Sequence, residues 1–149
     1  MKNLFDANAT TEIIARIDEL KPDSQRQWGK MNVAQMMAHC TAALETATDQ
    51  RHPPRIFIGK ILGPIFKSSF LNEKPFAKNS PTDKSFIMTG EKDFDKEKIR
   101  LKNIILSFAN GGEAKCTSHP HSFFGKLTPN EWARGMYKHM DHHLRQFGV

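Results

Sequence analysis

Cysteine is scarce: the 149 residues include two, Cys40 and Cys116. Two are too few for a disulfide framework, and Cys40 falls on the apolar face of an expected helix. Both read as reduced thiols of a cytoplasmic protein. Long hydrophobic runs are missing as well. The most apolar stretch, IFIGKILGPIFKSSFL, carries two lysines and a Gly-Pro pair, so neither a membrane span nor a membrane partner is expected. The opening MKNLFDANATTE is interrupted by charge at once and holds no apolar signal region. Charge is not concentrated either. The net charge is +6, yet the 22 Lys and Arg form no cluster of five or more. That is an ordinary solvated basic surface rather than the footprint of a nucleic-acid binder, so no nucleic-acid partner is expected. What remains is a chain of one-domain size, long enough to bury a core without staples.

Apolar spacing marks four helices. The first is expected from Ala7 to Leu20, on the stripe Ile13, Ile14, Ile17 and Leu20. The second starts at Asn32, an N-cap with Gln35 in the capping-box position, and runs through Val33, Met36, Met37, Cys40, Leu44 and Ala47. The third covers Asp95 to Ala109, with Leu101, Ile104, Ile105 and Phe108 on one face and Gly111-Gly112 behind. The fourth has the clearest start, Thr128 as N-cap, Pro129 at the first position and Glu131 in the capping box, and ends at Phe147. Residues 55–92 carry no assignable pattern. A helix broken near Gly63-Pro64, followed by an extended connection through Pro75 and Pro81, is the expectation there. No strand pair is apparent, so the fold class is all-α, an antiparallel helical bundle.

Three of the seven histidines crowd into KHMDHHLRQ, residues 138–146. Each helical residue advances about 100°. Counted from Met136, the core face holds Trp132, Met140, Leu144 and Phe147. His143 lies about 20° from its centre, His139 about 60° and His142 about 120°. His139 and His143 therefore form an inward pair, and His142 turns outward. On the second helix His39 sits about 100° from the apolar centre at Cys40, at the margin of core and solvent. His143 stands about 6 Å from the end of its helix and His39 about 10 Å from the start of its own. If the two helices are antiparallel, three neutral imidazoles converge at one depth. Such a set holds a divalent ion, with Zn, Ni or Fe as candidates. Cys40 and the methionines Met36, Met37 and Met140 read as packing residues. No carboxylate stands out as a general base: Glu45 is six residues from His39, and Asp141 points away from the pair, within reach only of a supporting position behind the ligands.

WGKMNVAQMMAHC, Trp28 to Cys40, resembles the second-helix signature of the DinB-like (DinB/YfiT-type) superfamily of metal-binding proteins, in which a Trp precedes the helix and a His closes the motif. KHMDHHLRQ resembles its last-helix motif, with two ligand histidines four apart and a Gln soon after. HPHSFFGKLTPNEW resembles a branch of unknown function. The resemblance implies a four-helix bundle, up-down-down-up, with a long connection between helices 2 and 3. It implies His39, His139 and His143 as metal ligands, with His119, His121, His142 and Asp141 as possible cleft-lining residues. It implies a metal-dependent enzyme acting on a small molecule, foremost a transferase using a low-molecular-weight thiol. A metal-dependent hydrolase and a non-catalytic metal-binding or stress-response module are the alternatives. A homodimer is reasonable by the same likeness.

Overall fold

The computed structural model describes residues 2–149. Five α-helices follow one another: α1 (Ala7–Glu19), α2 (Val33–Ala47), α3 (Phe57–Leu71), α4 (Phe94–Gly111) and α5 (Pro129–Gln146). Single 3-10 turns occupy Lys84–Phe86 and Gly112–Lys115. Among the described residues there is no strand, only one isolated antiparallel bridge between His121 and Gly125.

The helix starts follow their caps. Asp6 and Asp93 accept from Ala9 and Lys96 N–H at the heads of α1 and α4. Reciprocal capping boxes, Asn32 with Gln35 and Thr128 with Glu131, open α2 and α5. Each satisfies two backbone donors that the first turn leaves without helical partners.

The apolar stripes of α1, α2, α4 and α5 meet in one core. It contains Ile13 and Ile17, Met36, Met37, Cys40 and Leu44, Leu101, Ile105 and Phe108, and Trp132, Met136, Met140 and Leu144. α2 packs on α4 and α5, and α1 packs on the same two helices. Named contacts give the directions. Leu4 N–H bonds the Ala133 carbonyl and Arg16 reaches Asp141, so α1 and α5 run alike. Lys98 bonds the Leu20 carbonyl while Phe5 packs on Phe108, so α1 and α4 run oppositely. Thr117 N–H bonds the Ala47 carbonyl close to the start of α5, and Gln146 near its end bonds the Trp28 carbonyl ahead of α2, so these two also oppose.

The fifth helix, α3, was not expected as a continuous element. Gly63-Pro64 does not break it: Pro64 sits inside, on the exposed side, where the carbonyl that loses its N–H partner can be hydrated. Its apolar residues also do not mark its buried face. Phe57 is 76% and Ile65 66% exposed, whereas Gly59 and Gly63 face the protein. The two glycines let α3 lie against the backbone of Phe123 and Phe124. A Cβ on Gly63 would fall 2.1 Å from the Phe123 carbonyl oxygen. On the other side, a Cβ on Gly135 of α5 would fall 2.1 Å from the Phe70 ring. The C-terminal carbonyls of α3 are held by α5: Lys138, buried, donates to Ser69 O and Asn72 O, and Arg134 donates to Leu71 O. Gly63→Ala is expected to destabilise the protein by about 1–3 kcal/mol through this overlap. Urea unfolding checks it, and an unchanged midpoint would mean that α3 does not rest on the 121–125 turn.

Candidate metal centre

His39 comes from the middle of α2, and His139 and His143 from successive turns of α5. Opposed helices that touch along their length bring them together. The three ring centroids stand 4.6, 4.7 and 4.9 Å apart. One nitrogen from each lies within 4.8 Å of the others.

The hydrogen bonds decide which nitrogens face inward. His39 Nδ1 is 2.9 Å from the Phe86 carbonyl, which can only accept, so Nδ1 carries the proton and Nε2 presents a lone pair. His143 Nδ1 is 2.9 Å from Gln146 Oε1. The amide of Gln146 is itself oriented, because its Nε2 donates to the Trp28 carbonyl at 2.7 Å. His143 therefore also carries its proton on Nδ1 and presents Nε2. Oxygen acceptors that fix tautomer and ring orientation from behind are the usual support of metal-binding imidazoles.

His39 Nε2 and His139 Nε2 lie 3.0 Å apart. Nitrogens each about 2.1 Å from one ion, at an angle near 90–100°, stand roughly 3 Å apart. That pair is spaced as two ligands of one ion or as a hydrogen bond between the rings, and with His143 it forms a group that could hold a divalent ion. The third ring, His139, has no such support: its Nδ1 is buried without a protein partner. Burial also keeps the rings in the neutral, ligand form. It pushes His143 down to about 3 and lowers His139 well below the ordinary imidazole value, reinforced by His143 and His39. Burial lowers His39 too, offset in part by its bond to Phe86.

The surrounding shell is aromatic. His142 is half-buried, 5.6 Å from Trp28 and 5.7 Å from Phe76 by ring centroids, and 5.1 Å from His143. The helical angle points it away from the core, but chain from outside α5 covers it, so it is not the outward residue its angle suggests. His121 packs against Phe70, Phe124 and Trp132. Its Nδ1 accepts from the N–H groups of Phe123 and Phe124, leaving the proton on Nε2. The indole N–H groups of Trp28 and Trp132 are buried without a protein partner.

Two expected cleft-lining residues lie elsewhere. His119 is exposed and packs on His52, 4.8 Å away, which in turn bonds Asp49. Asp141 pairs with Arg16 at 2.9 Å and Arg145 at 3.4 Å, tying α1 to α5 on another side. Cys40 is fully buried with Sγ 3.7 Å from Met36 Sδ, and burial raises its thiol far above the ordinary range, so it packs and does not react. Two supports lie outside the ligand pattern of the sequence. Gln146 carries its signal in its position, three residues after His143 and so on the same face. The Phe86 carbonyl is backbone and leaves no residue-type signal.

An all-helical protein with three converging histidines, two of them fixed in tautomer by oxygen acceptors, is the class the fold and site define. Residues 2–148 match the family described as protein of unknown function (DUF1569), and the chain belongs to that family. No curated protein and no solved structure matches it. No described helix is long and apolar enough to cross a membrane.

Proposed function

We propose that this protein is a divalent-metal-dependent enzyme of the DinB-like type, transferring a small thiol to an electrophilic substrate. The observation that carries the reading is the 3.0 Å approach of His39 Nε2 and His139 Nε2, beside a His143 whose Nε2 is also left free for an ion. In this reading α1, α2, α4 and α5 are the up-down-down-up bundle, which the directions of their contacts support, and α3 lies within the long connection. His39, His139 and His143 hold the ion. Three protein ligands leave a divalent ion with at least one open position, where it favours the thiolate form of a bound thiol or lowers the pKa of water.

The chain's own groups favour the thiol over water. Water on the ion is a weaker acid than a thiol there, and its attack is helped by a base beside it. The two carboxylates weighed as bases are engaged elsewhere, Asp141 with two arginines and Glu45 with Arg100. A thiol bound as thiolate needs no such base. Trp28, Phe76 and His142 form an aromatic cluster beside His143, with Lys78 and Lys138 over the rings of Trp28 and Phe76, a setting suited to a small organic electrophile with a polar or anionic group.

The experiment is a conjugation assay on untagged, zinc-, nickel- or iron-loaded protein, with a panel of small thiols and 1-chloro-2,4-dinitrobenzene. Metal-dependent thioether formation, abolished by chelator and restored by one metal, is the expected result. Metal bound tightly with no turnover on any thiol, and a chelator effect on thermal stability alone, would instead favour a non-catalytic metal-binding module.

A further inference from the structure

The face of α3 that the protein leaves uncovered is apolar. Phe57, Ile58, Ile61 and Ile65 are each more than half exposed. At about 100° per residue they fall within one arc roughly 100° wide, opposite the buried Gly59, Gly63 and Phe70. Isolated surface hydrophobes are normal, but four on one helix face make a contiguous patch.

The charge around this face is predominantly positive. Residues 51–78 contain six Lys and Arg against one acidic residue, Glu73. α3 itself has two lysines and no acid, and the segment it lies on, residues 117–127, has no acid either. Lys67 is paired with Glu131 at 2.8 Å. Among the described residues Arg51 and Arg55 make no ion pair: they bond the carbonyl oxygens of Ser85 and His121, and Arg51 also lies over the Phe86 ring. Lys60 is exposed on the flank of the apolar arc, where a long stem lets the ammonium reach outward.

We propose that α3 docks the protein on an anionic lipid surface, lying in the headgroup plane with Phe57, Ile58, Ile61 and Ile65 in the acyl boundary. The helix has 15 residues, about 22 Å, too short to span the roughly 30 Å hydrocarbon layer but of a form that lies along it. Apolar insertion and attraction of the basic flank to anionic headgroups act together there. A second copy of the chain is the less suitable occupant, because self-pairing would set Lys60 and the cationic flank against their own images. The proposal is independent of the histidine cluster and of any turnover.

The test is flotation of full-length protein with phosphatidylglycerol–phosphatidylcholine vesicles and with phosphatidylcholine vesicles alone, alongside sedimentation of the protein without lipid. Wild type is expected to partition onto the anionic vesicles, with high salt weakening it. An Ile61→Ser/Ile65→Ser double variant should lose about tenfold or more in partitioning. Its melting temperature should be unchanged, since both side chains face solvent. Lys60→Glu should weaken binding to anionic vesicles in the same direction. No partitioning of wild type, equal partitioning of the serine variant, or a stable dimer that the serine variant dissolves while vesicles are ignored would overturn the proposal.

Discussion

Replacing His143 with Ala is expected to reduce bound divalent metal from about one ion per chain to less than a tenth of that. The three rings supply the proposed donor set, and His142, 5.1 Å from His143, would have to leave its contacts with Trp28 and Phe76 to step in. Cys40 is buried away with Met36, and Asp141 is held by Arg16 and Arg145. His139→Ala should do the same. The sharper variant is Gln146→Leu, which leaves all three rings in place. It removes the acceptor that fixes His143 Nδ1–H and the amide link to the Trp28 carbonyl. Loss of such an acceptor weakens metal affinity by about 10–100-fold, whereas Gln146→Glu keeps an acceptor for His143 but sets a carboxylate oxygen against the Trp28 carbonyl, and should recover only part of it. Elemental analysis and competition with a chromophoric chelator measure both. His119→Ala, at the exposed His52–His119 pair, is the control expected to change nothing. Equal metal content in wild type and His143→Ala would remove the metal centre, and with it the proposed chemistry.

The parts of this arrangement that were legible in the sequence are those decided within one helix. The capping boxes at Asn32 and Thr128, the core stripes of α2, α4 and α5, and the inward angles of His139 and His143 depend on spacing along a single element. The parts that were not legible depend on what another segment does. His39 stands at the margin of α2 by its own helical angle, yet it is 4% exposed, because the turn containing Phe86 closes over it. His142 points outward by angle and is covered by Trp28 and Phe76. In α3 the local signals say little. The Gly63-Pro64 pair reads as a break, but the helix continues through it with Pro64 on the hydrated side. No pattern there marks a core face, and the glycines face the protein because only they let the two backbones approach. Periodicity reports where apolar residues lie, and the core is on that side only when the protein, rather than something else, covers it.

Acidification is expected to destabilise the metal-free protein strongly, well above the range in which carboxylates titrate. Burial holds His143 at about 3 and His121 at about 4, and holds His139 well below the ordinary value. In the unfolded chain all three return to about 6.5. Below that pH the unfolded state binds protons that the folded state refuses, so stability falls as pH falls. The contribution is fully present above about pH 7 and is lost progressively from about 6.5 down towards the folded values. Between pH 7 and 5 each fully depressed ring accounts for about 2 kcal/mol. Three rings together approach the whole stability of an ordinary domain, about 5–15 kcal/mol. The carboxylates of Glu12, Asp49 and Glu131, lowered by their partners, act in a separate and more acid window. Urea midpoints of the chelator-treated protein from pH 7.5 to 5 measure the histidine window. His121→Phe removes one ring while keeping an aromatic beside Phe70 and Trp132, and it should shed the share of the slope that belongs to one proton. A midpoint that stays level or rises as the pH drops from 7.5 to 5.5 would mean that these imidazoles meet water in the folded protein, and the packed, neutral cluster would have to be abandoned.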